Sequence, residues 1–108
     1  MSKKHAAHSA LSIQHTVVFR LIHPLGSDEE AAFLRDARAE LTSIPGVEEF
    51  AIDRQISAKS SADFRFSMRF ANQAAHDAYN VHPTHVAFVS SRWGTEVASF
   101  QEYDFSAL

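Results

Sequence analysis

Apolar and polar positions alternate most strictly from Asp63 to Phe70, where Phe64, Phe66, Met68 and Phe70 interleave with Arg65, Ser67 and Arg69. A period of two is the pattern of a strand with one buried face. Ile13 to Ile22 holds a denser run, with Val17, Val18, Phe19 and Leu21, before Pro24 and Gly26 break it, and is predicted as the first strand. His15 shares a face there with Val17, Phe19 and Leu21. Val47 to Ile56 is predicted as a strand with Phe50, Ile52 and Ile56 on one side and Glu49, Ala51 and Asp53 on the other. Val97 to Phe105 is the last strand, and the small polar stretch Ser57 to Ala62 is a flexible hairpin connection.

Between these segments the period changes. Leu34, Ala37, Leu41 and Ile44 recur at steps of three or four, giving a helix with Arg35, Asp36 and Ala39 on its other side. Ser27 and Glu30 form a capping box at its start, where the serine oxygen accepts an N3 amide and the glutamate reaches back to the cap. Pro45-Gly46 ends it. Asn72 is placed to cap a short helix through Tyr79. Pro83 interrupts that helix and suits the first turn of a further one, whose apolar stripe is Val86, Val89 and Trp93 and whose end is Gly94.

The resulting order is β-α-β-β-α-β with the second helix broken in two, the split βαβ pattern of ferredoxin-like α+β folds. Its antiparallel sheet has four strands, with helices on one face. The other face, apolar and mixed in composition, is bare in a single chain, and pairing two such sheets gives a homodimer. The chain has 108 residues, room for one domain. Met1 to Leu11 is read as a mobile leader and residues 12–108 as the domain.

Composition then narrows the function. A net charge of -3, with no basic run beyond Lys3-Lys4, argues against nucleic acid. The absence of cysteine excludes disulfides, thiolate metal sites and cysteine nucleophiles, and is compatible with the expected cytoplasmic location. No apolar run reaches the roughly 20 residues that span a bilayer, so no membrane association is expected.

One segment is more specific. Ala78-Tyr-Asn-Val-His-Pro-Thr-His-Val-Ala-Phe88 resembles the signature helix of the stress-responsive α/β-barrel (Dabb) family. The first-strand segment Ile13 to Leu21, with its histidine, the Ile-Pro-Gly-Val stretch at Ile44 to Val47 and the Phe64 to Phe70 strand fit the same family, over roughly Ile13 to Phe105. The resemblance implies a dimeric α+β barrel with a cleft between sheet and helices. It also implies two kinds of function. Many such proteins have no assigned reaction, and those of plants under stress are read as very stable assemblies. A plant branch holds polyketide cyclases that need no cofactor and use a tyrosine and a histidine of the signature helix, positions matched by Tyr79 and His85, with the first-strand histidine at His15.

His85 is the candidate base, because an imidazole near its ordinary pKa accepts and returns protons at neutral pH. Tyr79 is the candidate hydrogen-bond donor to a substrate carbonyl. The plainer reading has His85 bonded to a backbone carbonyl at the helix break and His15 as a satisfied core polar group. His82, Phe64, Phe66, Phe88 and Trp93 are the candidate ligand contacts, although the aromatic residues are core by default. His82 and His85 stand at i,i+3, but Pro83 lies between them and no acid is clearly paired with them, so no metal is expected even with His15 or His76 added. Arg65 and Arg69 suit an anion, or pairing with Glu49, Asp53 or Glu102, and pairing is favoured. The leading expectation is therefore a non-catalytic domain, or one that binds a small apolar or aromatic molecule without a cofactor. A cofactor-independent cyclase or isomerase is the alternative, and a quinol-type monooxygenase is a second one resting on fold analogy.

Overall fold

The computed structural model describes residues 10–108, and the first nine positions of the expected leader lie outside the described residues. The strands are β1 (Ile13–Leu21), β2 (Glu48–Arg54), β3 (Phe64–Phe70) and β4 (Val97–Ser106). The helices are α1 (Asp28–Leu41), α2 (Gln73–Val81), α3 (Pro83–Phe88) and the single turn α4 (Gly94–Glu96). A π-helical turn, Val89–Trp93, joins α3 to α4. The sheet runs β2-β3-β1-β4 with every neighbouring pair antiparallel, which is the ferredoxin-like α+β topology.

The core lies between the helices and one sheet face. Val17, Phe19 and Leu21 of β1 meet Phe64, Phe66, Met68 and Phe70 of β3, and α1 lays Phe33, Ala37 and Leu41 over them. The Phe33 and Phe66 rings stack 6.4 Å apart, and Phe19 stands edge-on to Phe66 at 4.6 Å. The helix stripe is thus centred on Phe33, which is fully enclosed, rather than on Leu34, which is only partly buried. Phe33, Ala37, Leu41 and Ile44 follow the 3.6-residue period more closely than the expected set does.

Other expectations need similar adjustment. Ser27 Oγ accepts from the Glu30 amide at 3.2 Å, but the Glu30 carboxylate accepts from the Gly26 amide at 2.9 Å instead of from Ser27. The Ser27 amide is already taken by the Pro24 carbonyl. β1 stops at Leu21, leaving Ile22 exposed. β2 is shorter than predicted, its pairing with β3 shifts register between Glu48 and Ala51, where Glu49 adopts φ +53°, and Ile56 lies beyond the strand, 89% exposed. On the sheet face away from the helices, Arg65 pairs with Asp53 at 2.7 Å across strands, and Arg69 donates to Ser12 and Gln14. Both arginines are therefore engaged within the chain.

The C-terminal helical region also departs from expectation. Phe88 is its buried residue, while Val86 and Val89 are exposed. Gly94 does not stop the helix; it carries it through the π-helical turn into α4, where a Cβ would come within 3.2 Å of the Val89 carbonyl oxygen. Arg92 fastens this turn by pairing with Glu96 and with Asp36 of α1, and Glu96 in turn meets His23 at 2.7 Å. No helix among the described residues is long and apolar enough to cross a membrane.

Because Phe33 has no exposed surface, Phe33→Ala should cost about 3–5 kcal/mol. Urea unfolding followed by far-UV circular dichroism measures this, and a loss below about 1 kcal/mol would place the centre of the core elsewhere.

Candidate ligand cavity and its histidine cluster

Two breaks in the helical layer shape the site. His82 is extended (ψ 136°) between α2 and α3, with Pro83 opening the new helix, so the direction of the chain changes at that residue. The His82 ring caps α3, its Nδ1 accepting the Thr84 amide at 3.1 Å. The π-helical turn then holds Trp93 half-buried against Phe19, 5.0 Å between rings, and against Phe100 of β4 at 5.5 Å. Between these helices and the sheet lies a cavity of about 280 Å³.

Its wall is mainly apolar, with Phe66, Phe88 and Trp93 among the lining residues, and its polar lining residues include His15, Tyr79, Asn80, His85 and Glu102. The structure therefore brings His15, Tyr79 and His85 to one space. His82, held as a cap, and Phe64, in the core, are not among the residues lining it.

The Tyr79 and His85 rings are 4.3 Å apart. His85 Nδ1 lies 3.2 Å from the Asn80 carbonyl oxygen, which can only accept, so this nitrogen carries the proton and Nε2 is left as the acceptor of the neutral ring. Burial lowers the His85 pKa below the ordinary value, outweighing the opposing bond to Asn80, and His15 and His76 push in the same direction. Tyr79 moves the other way. Burial, helped by the charge of Glu102, raises its pKa far above that of an exposed phenol, so its hydroxyl remains a donor. Side by side, then, stand a neutral base and a protonated donor.

His15 sits on the helix side of β1, where the antiparallel register sets it opposite Asp104 of β4. Its Nδ1 is 2.6 Å from Asp104 Oδ1 and its Nε2 is 3.3 Å from Glu102 Oε2. Both carboxylates escaped the sequence analysis, which offered Glu102 only as a partner for arginines on the opposite face. The alternation Phe100, Glu102, Asp104 in β4, read against the ferredoxin-like placement of β4 beside β1, would have found them. His76 of α2 completes the group, its ring 5.1 Å from His15 and stacked on Phe70.

Comparison with known proteins agrees with this architecture. The family model for the stress responsive A/B barrel domain, Dabb, matches residues 13–107. The chain belongs to the Dabb family. A Dabb protein with a ferredoxin-like fold from Mesorhizobium loti is 52% identical, with 90% of this chain and 97% of that one covered and a TM-score of 0.89. A hydroxynitrile lyase from Passiflora edulis shares the fold at 10% identity, with 93% and 96% covered and a TM-score of 0.79. So does a dimeric ferredoxin-like protein of unknown function from Thermobifida fusca, at 19% identity, 93% and 94% covered and a TM-score of 0.74. No curated protein sequence matches the chain.

The depressed His85 pKa has a definite sign for stability. A folded value below the unfolded one of about 6.5 means that the unfolded chain binds more protons in between, so this contribution is complete above about pH 6.5 and declines as the pH falls toward the folded value. NMR titration of the His85 ring should give a midpoint below about 6.5, and a midpoint above that would refute the burial argument.

Proposed function

We propose that this Dabb protein binds a small apolar or aromatic molecule bearing a carbonyl or hydroxyl group in the cavity between sheet and helices. The observation that carries the reading is the combination of a largely apolar wall with His15, Tyr79, His85 and Glu102 converging on one space of about 280 Å³. Ligand sites commonly measure about 300–1,000 Å³ and pair apolar walls with few polar groups, so this one suits a small ligand. Trp93 is the single tryptophan of the chain and lines the cavity, so its fluorescence reports occupancy directly. Titration with small aromatic ketones and phenols should change that emission saturably at one molecule per chain. Val89→Phe, which puts bulk into the wall, should weaken the response by roughly tenfold or more. A response that never saturates, or one indifferent to Val89→Phe, contradicts the reading.

A second reading, cofactor-independent proton-transfer catalysis, is favoured by the neighbouring neutral His85 and protonated Tyr79. His85 Nε2 would take a proton from carbon beside a substrate carbonyl, while the Tyr79 hydroxyl donates to the developing enolate oxygen. The enolate carbon would attack a second carbonyl of the same molecule, and the imidazolium would return the proton to the new alkoxide. Such a step closes a ring, consumes no oxidant or reductant, and fits a cyclase or isomerase of polyketide-like substrates. With a 1,3,5-tricarbonyl substrate, His85→Gln should reduce turnover by about 100-fold or more. Wild-type turnover at the rate of the protein-free solution would remove catalysis while leaving the binding reading intact.

The homodimer belongs to the same proposal. Tyr103 and Phe105 stand on the sheet face away from the helices, their rings 6.0 Å apart, and are 42% and 54% exposed. Burying them against a second copy would cover the largest aromatic groups of that face. Sedimentation should give twice the mass of the chain at micromolar concentration, and Tyr103→Lys should shift the equilibrium toward monomer. A wild-type monomer under those conditions refutes the pairing.

A further inference from the structure

The cluster of His15, His76 and Asp104 does more than the cavity requires of it. His76 does not line the cavity, and its Nε2 is buried without a hydrogen-bond partner. Leaving such a group unsatisfied is destabilising, so a native fold retains one only for a reason. The nearest counter-charge is Asp104 Oδ1 at 3.9 Å, too far for a hydrogen bond. Yet one donor atom from each of His15, His76 and Asp104 lies within 4.8 Å of the other two.

We infer that His15, His76 and Asp104 form a binding site for a divalent first-row transition ion, with zinc as the representative. Donors on a tetrahedral zinc sit about 3.3 Å apart, given bonds of about 2.0–2.2 Å. The separations here, 2.6 Å from His15 Nδ1 to Asp104 Oδ1 and 3.9 Å from His76 Nε2 to the same oxygen, lie on either side of that value. All three donors lie within 4.8 Å of one another, near the spacing that a shared ion requires.

The surroundings have the features of an outer shell. His15 Nε2 faces Glu102 Oε2 at 3.3 Å, which leaves Nδ1 as the ligand and fixes the ring by a carboxylate, as metal-binding histidines commonly are. Phe70 stacks on His76 with 27° between planes and limits its rotation. Two imidazoles and one carboxylate select zinc, copper, nickel or iron over magnesium and calcium, which prefer oxygen alone. Three protein ligands leave a further position open, the arrangement of catalytic rather than structural zinc. The site stands on its own three ligands and does not depend on the proposed ligand or reaction.

The test uses untagged full-length protein stripped with a chelator. Zinc is titrated against a chromophoric competitor, and cobalt is added separately to read visible absorption. The expected result is one zinc per chain, a cobalt spectrum of nitrogen–oxygen coordination and no comparable magnesium binding. His5→Ala with His8→Ala tests adventitious capture by the N-terminal histidines and should leave the affinity unchanged. Asp104→Asn, which changes a half-exposed side chain and keeps its shape, should weaken zinc by roughly 100-fold, and Glu102→Gln by roughly tenfold. His76→Gln should match Asp104→Asn, with circular dichroism confirming the fold; if it misfolds, Asp104→Asn decides. Binding weaker than about 1 mM, affinity unaltered by Asp104→Asn, or equal affinity for magnesium overturns the inference.

Discussion

Strand β1 is paired on both sides, from Ile13 opposite Phe70 to Phe19 opposite Phe64 on one edge, and from His15 opposite Asp104 to Phe19 opposite Phe100 on the other. Because side chains alternate along a strand, a slip of one residue would turn Val17 and Phe19 to the bare face and bring Thr16 and Val18 under the helices. The loss of aromatic contacts with Phe33, Phe66 and Trp93 makes that slip prohibitive. The same register carries His15 to the helix side and sets Glu102 and Asp104 at its two ring nitrogens. The polar cluster thus inherits its precision from the packing of Val17 and Phe19, two and four residues away.

The helical layer contributes the opposite property, which is incompleteness. A continuous helix from Asn72 onward would carry its side chains along one straight line over the sheet. Instead the chain breaks at His82-Pro83 and again widens into a π-helical turn, a distortion common near functional sites. The first break sets the His85 ring beside Tyr79, and the second lets Trp93 reach both Phe19 and Phe100. Arg92 holds the widened turn to α1 through Asp36 and to α4 through Glu96. The cavity remains open because its walls are fixed from outside rather than filled from within.

Much of this was legible in the chain. Strict alternation from Phe64 to Phe70 located β3, and Ser27, Asn72 and Pro83 marked helix starts that the caps reproduce. The Tyr79, His85 and His15 group could be named from the family resemblance, and these side chains do share one space. What escaped was mostly set by tertiary contact. Phe33 lost to Leu34 because one helix position shifts the stripe only slightly in sequence but decides which ring meets Phe66. The bend at Glu49 has no local signal, since positive φ there falls on a residue that rarely adopts it. His82 looked like a ligand contact because histidine is seldom read as a cap, although its ring nitrogen accepts as a serine oxygen would. The pairing of Glu102 and Asp104 with His15 was invisible until β4 was placed beside β1.

The edge strand β4 carries part of the site. Every residue of this ten-residue strand except Val97 is exposed, while its inner face supplies Glu102 and Asp104 to His15 and Phe100 to Trp93. A long exposed edge is a liability for an isolated chain, because its free backbone groups and apolar side chains invite pairing with another molecule. Here the exposed strand also bears the acidic half of the polar cluster, so whatever covers it changes the solvent around those carboxylates. Excluding water would strengthen their hold on His15, and on any cation beside it, since charge interactions grow as the local dielectric falls. An assembly that covered β4 would couple to the site chemistry through this one strand, and a substitution on its outward face would then be felt by His15 on the other.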